Sequence, residues 1–111
     1  MLLAGAAAFA LLLLINWGKI ATRQFPDPDD TMRLVQVRDL LNGQGWFDLH
    51  QYRLDPPGGA LMHWSRLVDL PLVGCELLLR PLLGAALAEQ AATVIVPLLT
   101  FGALLLLLAR L

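Results

Sequence analysis

Two long apolar stretches lie near the ends of the chain, and nearly all of its charged side chains lie between them. Residues 2–17 and 91–109 contain no charged side chain. At 1.5 Å of rise per residue they would form helices about 24 and 28 Å long, close to the ~30 Å hydrocarbon core of a bilayer. Trp17 stands where an interfacial anchor is expected, and membrane helices tolerate a kink such as Pro97 would cause. The pattern predicts two transmembrane helices.

The predicted fold is an all-α membrane protein with three parts. A first transmembrane helix occupies residues 1–18, a long loop with amphipathic helices occupies residues 19–90, and a second transmembrane helix occupies residues 91–109. A cleaved signal peptide is the alternative for the first stretch, but it would need a basic start that the sequence lacks. Two helices of a soluble core are disfavoured, because residues 104–108 are apolar on every face.

A third apolar run, residues 67–87, is interrupted by Asp69, Glu76 and Arg80. Its eleven Leu and Val residues would gain roughly 3–7 kcal/mol on insertion, whereas three central charges would cost about 7–10 kcal/mol. Pro71 and Pro81 are expected to break it into short pieces. We therefore expect an amphipathic helix at the membrane surface or packed on other spans, with Glu76 and Arg80 paired four residues apart.

The polar middle predicts one clear helix and one clear turn. Apolar residues at helical spacing indicate a helix that is capped by Asp29 or Asp30 and continues to about Leu41. Asn42-Gly43 should end it in a left-handed conformation. Residues 55–59, Asp-Pro-Pro-Gly-Gly, predict a turn.

Composition excludes several classes of protein. Apolar residues make up 58% of the 111 residues and charged residues only 15%, so neither an ordinary soluble domain nor a disordered chain fits. The net charge of −1 supplies no basic field for nucleic acid. Sixteen of the 17 charged residues lie between the two predicted spans, so the loop should carry the chemistry.

Three carboxylates, Asp27, Asp29 and Asp30, cluster just after the first predicted span. They could cap a helix and complement its dipole, and Asp29 could pair with Arg33 four residues later. They could also bind Mg²⁺ or Mn²⁺, which prefer carboxylate oxygens. The sequence alone leaves both interpretations open.

The other candidate side chains are less specific. His50 and His63 have no cysteine near them, so zinc binding is unsupported, and Cys75 lies in an apolar run typical of packing. Four aromatic residues could form an interfacial belt, pack a small core or stack on a sugar ring: Trp46, Phe47, Tyr52 and Trp64.

The order of these motifs resembles a known family. A span, then DPDDTMRLVQVRDLLNGQGWFD at residues 27–48, then YRLDPPGGALMHWSRLVDLP at residues 52–71, then a span with an early proline, is similar to the amino-terminal module of GT-C glycosyltransferases. The oligosaccharyltransferase catalytic subunits are the nearest likeness. In that family the first extracytoplasmic loop begins with an acidic motif, and an aspartate of that motif binds a divalent metal at the catalytic centre.

The resemblance implies specific roles for four residues. Asp29 would be the catalytic, metal-binding aspartate, with Asp27 as the alternative, and Arg33 and Arg38 would bind the substrate. The implied cofactor is Mg²⁺ or Mn²⁺, and the implied donor is a polyprenyl-phosphate-linked sugar. Aromatic residues common after the family's acidic motif are replaced here by Thr31-Met32-Arg33.

The resemblance covers only the first part of such an enzyme, so we expect a fragment that is inactive alone. Its partners would be the bilayer, the lipid-linked sugar and other transmembrane helices, in the inner membrane, with the loop outside the cytoplasm. Lys19 and Arg23 beside the first span argue for a cytoplasmic loop instead. The alternative function is a small non-enzymatic membrane protein for interaction or assembly, whose small residues allow close helix packing.

Overall fold

Four helices account for most of residues 2–25 and 27–110, the part of the chain that the computed structural model describes. They are α1 (Leu2–Thr22), α2 (Pro28–Leu41), α3 (Leu70–Leu83) and α4 (Ala85–Leu108). Between α2 and α3 lie a short antiparallel strand pair and a single 3-10 turn: β1 (His50–Gln51), β2 (Ala60–Leu61) and Arg66–Val68.

The chain divides into two units. The apolar unit contains residues 2–24 and 75–110, and the polar unit is Phe25–Gly74. The predicted all-α class is correct for the bulk of the chain. The strand pair was not predicted, since two residues per strand are too few to show an alternating pattern.

Two helices are long and apolar enough to cross a membrane, over Ala4–Thr22 and Ala85–Leu108. α1 continues four residues past the predicted span of 1–18, and α4 begins six residues before the predicted span of 91–109 and ends at Leu108. The last turn of α1 includes a hydrogen bond from Thr22 Oγ1 to the carbonyl of Gly18 (2.7 Å). The polar pair Glu89-Gln90 lies inside α4 rather than marking its boundary, because alanine-rich residues before it favour helix.

α1 and α4 pack side by side in antiparallel orientation. The rings of Phe9 and Phe101 meet edge to face with centroids 5.6 Å apart. Toward the other end of the pair, Gln90 Nε2 donates to the carbonyl of Ile20 (2.7 Å), and Arg23 Nε donates to Gln90 Oε1 (3.2 Å). An edge-to-face aromatic contact is favourable beyond the area that it buries, so this contact contributes to the packing of the two helices.

The prolines of the third apolar run do not break it as predicted. Pro71 lies in the first turn of α3, where its missing N–H has no helical partner to lose. Pro81 lies near the end of the same helix. The break falls instead at Gly84, whose positive φ of 74° separates α3 from α4.

α2 begins two or three residues earlier than predicted and ends as predicted. Asp27, not Asp29 or Asp30, is the N-cap: its Oδ1 accepts a hydrogen bond from the backbone N–H of Asp29 (2.8 Å). Pro28 then occupies the first helical position, for which its fixed φ is suited. Asn42 and Gly43, with a φ of 102° at Gly43, terminate the helix.

The predicted turn at residues 55–59 is confirmed, and it connects β1 to β2. His50 lies opposite Leu61 and Gln51 lies opposite Ala60. Gly59 has a φ of 78°, and its backbone N–H donates to the carbonyl of Asp55 (3.0 Å). The hairpin therefore depends on a residue that can adopt the left-handed conformation.

Gly59→Ala should destabilise the polar unit by about 1–3 kcal/mol, the typical strain of a side chain in the left-handed region. The new Cβ would also lie 3.1 Å from Tyr52 Cδ1 and 3.3 Å from Tyr52 Cα. Gly58→Ala is the matched control, because its Cβ would meet no atom within 4 Å. Thermal unfolding followed by near-ultraviolet circular dichroism compares the two variants. Equal melting temperatures would contradict the assigned conformation of Gly59.

Candidate functional site

The acidic motif lies exposed at the start of α2. Asp27, Asp29 and Asp30 occupy the N-cap and the first turn, where the helix dipole favours negative charge. The Asp27 carboxylate is already engaged as the cap, whereas those of Asp29 and Asp30 point from consecutive positions into solvent. Asp29 is thus the better placed of the two predicted metal-binding residues.

The donor chemistry of this motif suits a hard divalent cation, but it supplies only part of a ligand set. Mg²⁺ takes six oxygen ligands, commonly one or two carboxylates together with waters and substrate phosphates. Within residues 2–25 and 27–110, no three His, Cys, Asp or Glu side chains come together as a metal centre. Asp29 with Asp30 could provide one or two of the six oxygens.

Arg33 does not form the predicted ion pair with Asp29. Its Nη1 lies 3.3 Å from Asp69 Oδ1, and its guanidinium lies 5.1 Å from the centre of the Trp64 ring. The side chain is 25% exposed. These contacts connect the first half of α2 to residues 63–69, so Arg33 has a positioning role in the polar unit that the sequence did not indicate.

Arg38 lies exposed in the last turn of α2. Nine residues of helix separate it from Asp29, which corresponds to about 13 Å along the axis. The structure therefore does not bring the two predicted substrate-binding arginines together at the acidic motif. Only Arg33 lies within about a turn of it.

Arg66 is the central side chain of the polar unit, and sequence reasoning missed it. Its guanidinium is 3% exposed and donates to the backbone carbonyls of Gln36 (2.8 Å) and Asp48 (2.9 Å) and to Gln44 Oε1 (2.8 Å). It also lies 3.9 Å from Asp69 Oδ2. Four parts of the chain are joined through this one cation.

Asp69 is a buried carboxylate between two arginines, Arg33 and Arg66. Burial raises its pKa above the usual range, and the two arginine charges act against that rise. Together the three side chains hold the start of α2 against the residues that precede α3 within the polar unit. Trp64 adds to this arrangement, because the Arg33 guanidinium lies over its ring.

Asp48 organises the hairpin. Its Oδ1 accepts hydrogen bonds from the His50 backbone (3.1 Å) and ring Nδ1 (2.9 Å), and its Oδ2 accepts one from the Tyr52 hydroxyl (3.0 Å). Gln44 Nε2 donates to the His50 carbonyl (2.7 Å). The hydrogen bonds from His50, backbone first, lower the pKa of the Asp48 carboxyl to about 2.

This pKa predicts a specific pH dependence for Asp48→Asn. Since the folded pKa lies below the ordinary value of 3.8, the carboxylate stabilises the fold fully above that value. This stabilisation is lost as the pH falls toward 2. The melting temperature of Asp48→Asn should therefore lie furthest below that of the natural protein above pH 4 and approach it near pH 2.

Tyr52→Phe is the control for this titration, because it removes one of the hydrogen bonds to Asp48 and leaves those from His50. It should show the same convergence with a smaller starting difference. A gap between Asp48→Asn and the natural protein that does not change from pH 7 to pH 2 would contradict the assignment.

Three of the four candidate aromatic residues, Trp46, Phe47 and Trp64, line an open groove on the polar unit. Its volume is about 480 Å³, and it is bordered by Trp46, Phe47, Leu49, His63, Trp64, Ser65, Arg66 and Leu67. Phe47 is 92% exposed. These rings are therefore not the closed core that the sequence allowed as one alternative.

Comparison with known proteins adds no relative to this description. No family model, no curated protein and no solved structure matches the chain.

Proposed function

We propose that this chain is the amino-terminal module of a GT-C type membrane glycosyltransferase that uses a polyprenyl-phosphate-linked sugar. The observation that carries the proposal is the exposed Asp29-Asp30 pair in the first turn of α2, directly after a helix long enough to span a membrane. The module would lie in the cytoplasmic membrane through α1 and α4, with the polar unit on the extracytoplasmic side.

Asp29 is the proposed metal-binding and catalytic residue, with Asp30 beside it. A bound divalent cation would offset the negative charge that develops on the departing polyprenyl phosphate. The helix dipole favours a carboxylate at this position, and the exposed side chain of Asp29 is accessible to a phosphate-bound cation. Asp27 is not the preferred residue, because its carboxylate caps α2.

The arginines have different roles in this proposal. Arg33 holds the acidic end of α2 in place through Asp69 and Trp64, and its side chain remains 25% exposed beside the acidic motif. Arg38 would contact a more distant part of the lipid-linked donor, consistent with its place about 13 Å from Asp29 along α2.

The module should bind a divalent cation and the phosphate lipid but should not catalyse sugar transfer. One or two carboxylates leave most of the metal's coordination positions to the substrate phosphates and to further segments of a longer enzyme. Two spans also cannot enclose a water-poor reaction site. Purified 111-residue protein is therefore expected to show no sugar transfer.

Mn²⁺ binding to the chain in lipid nanodiscs tests the proposal. Electron paramagnetic resonance of free Mn²⁺ reports how much is bound, with and without polyprenyl phosphate in the bilayer. Binding should be strengthened by the phosphate lipid and should be lost in Asp29→Asn. Asp55→Asn, a carboxylate in the hairpin turn, is the matched control and should bind as the natural protein does.

The outcome also separates the two functions. Equal Mn²⁺ binding by Asp29→Asn and the natural chain would remove Asp29 from the site. An absence of Mn²⁺ and phosphate-lipid binding in the natural chain would instead favour the alternative, a non-enzymatic membrane subunit. In a longer enzyme carrying this module, Asp29→Ala should abolish metal-dependent transfer without changing membrane insertion.

A further inference from the structure

α3 buries a charged side chain and exposes its leucines, which is the reverse of a helix that packs on a soluble core. Glu76 is 2% exposed and accepts hydrogen bonds from Arg80 Nη2 (2.7 Å) and Nε (3.1 Å). Leu78 and Leu82, in contrast, are 78% and 82% exposed. A helix packed on a soluble core buries its leucines and leaves its charges in water.

The two sets of side chains lie on opposite faces of one helix. Residues four apart share a face, so Glu76 pairs with Arg80, and Leu78 lies beside Leu82. Positions two apart, such as 76 and 78, are rotated by about 200°. The ion pair and the leucine face therefore point in different directions. The two charges, which would oppose contact with an apolar medium, neutralise each other on the side of α3 away from the leucines.

We propose that the leucine face of α3, formed by Leu77, Leu78 and Leu82, lies in the acyl-chain region at the edge of the bilayer. Bilayer lipid is the occupant because Gly84 alone separates α3 from α4, the more apolar of the two candidate spans. Leu83 and Leu87, which flank Gly84 in α3 and α4, are also exposed. Exposed leucines therefore continue from α3 past Gly84 into the first turn of α4.

α3 lies along the membrane rather than across it. Its 14 residues correspond to about 21 Å, shorter than the ~30 Å hydrocarbon core. A helix of this length with one charged pair and a leucine face fits the boundary between headgroups and acyl chains. This contact is independent of the metal and of the sugar donor, so it can hold or fail separately from the proposed enzyme function.

Nitroxide accessibility in phospholipid nanodiscs tests the contact. Single labels are placed at Leu78→Cys and Leu82→Cys in a Cys75→Ala background, and collisions with oxygen, which concentrates in lipid, are compared with collisions with a water-soluble nickel chelate. Both positions should show high oxygen and low nickel accessibility, and Leu106→Cys in α4 is the lipid-facing control that should show the same. Leu54→Cys in the polar unit is the water-facing control.

Two results would overturn the proposal. High nickel accessibility at both positions would place the face in water, and low accessibility to both reagents would show that protein covers it. If either labelled variant loses helical circular dichroism, Leu77→Cys replaces it, since Leu77 is also exposed on this helix.

Discussion

Arg66→Ala is expected to unfold the polar unit while leaving the apolar unit helical. The substitution removes three short hydrogen bonds from a buried cation and leaves the carboxylate of Asp69 with one arginine instead of two. Removing one partner from a buried charged group typically costs about 3–5 kcal/mol. A unit of about 50 residues has a total stability of roughly 3–7 kcal/mol, so most of it would be lost.

The groups that Arg66 joins explain the size of this effect. The carbonyls of Gln36 and Asp48 and the amide of Gln44 would be left without this donor, and unsatisfied buried acceptors are costly. Near-ultraviolet circular dichroism of Trp46 and Trp64 in detergent micelles would report the loss, together with proteolysis within residues 42–59. Far-ultraviolet circular dichroism would show that α1 and α4 remain.

Arg53→Ala is the matched control for Arg66→Ala. Arg53 also pairs with an aspartate, through two hydrogen bonds to Asp39 of 2.7 and 3.1 Å, but its side chain is 63% exposed. Exposed ion pairs contribute little to stability, so this variant should unfold nearly as the natural protein does. If Arg66→Ala unfolded cooperatively at the melting temperature of the natural protein, Arg66 would not be the residue that holds the polar unit together.

Arg80→Ala is expected to destabilise α3 by about 3–5 kcal/mol, because it leaves Glu76 buried without its ion-pair partner. Unfolding by sodium dodecyl sulfate in mixed micelles, followed by far-ultraviolet circular dichroism, measures the change. The effect should be confined to this pair, since both hydrogen bonds from Arg80 end on the same carboxylate oxygen.

The double variant Glu76→Leu with Arg80→Leu distinguishes the cost of an unpaired buried carboxylate from the cost of lost packing. Replacing both members of a buried ion pair by apolar side chains of similar volume is often neutral or stabilising. The double variant should therefore regain the stability that Arg80→Ala loses. If the double variant were as unstable as Arg80→Ala, the loss would come from packing by the arginine side chain and not from an unpaired carboxylate.

Local patterns predicted a large part of the fold. The two candidate spans, the end of α2 at Asn42-Gly43, the turn at residues 55–59 and the Glu76–Arg80 pair all follow from residues within a few positions of one another. In each case hydropathy, backbone preference or helical spacing depends on neighbours alone. Tertiary contacts do not need to be known for such features.

Predictions failed where a nearby competitor or a distant partner decided the outcome. Asp27 rather than Asp29 caps α2, since Pro28 suits the first helical position and moves the start of the helix back. The sequence allowed Arg33 to pair with Asp29, one turn away, but Arg33 pairs with Asp69, 36 residues later. The partly buried surroundings of Asp69 strengthen that pair relative to an exposed one on the helix surface.

The candidate site is divided in the same way. The exposed acidic motif follows from sequence, because it needs only a helix start and its own carboxylates. The contacts that hold its helix in place do not follow from sequence, because Trp64, Arg66 and Asp69 are distant from α2 along the chain. They contact the helix at Arg33 and Gln36. The proposed metal-binding role of Asp29 rests on the first part, and the position of Asp29 depends on the second.

The sequence by itself determined which stretches are apolar enough to span a membrane, where the charges concentrate, and which carboxylates are available at the head of α2. Tertiary structure alone decided that Arg66 is the buried centre of the polar unit and that α3 turns its leucines outward and its ion pair inward. The physical reason is the separation along the chain over which each effect acts. Hydropathy and helix preferences act between neighbours, whereas the partners of a buried charge come from wherever the folded chain brings them, 30 residues away for Arg66 and Gln36.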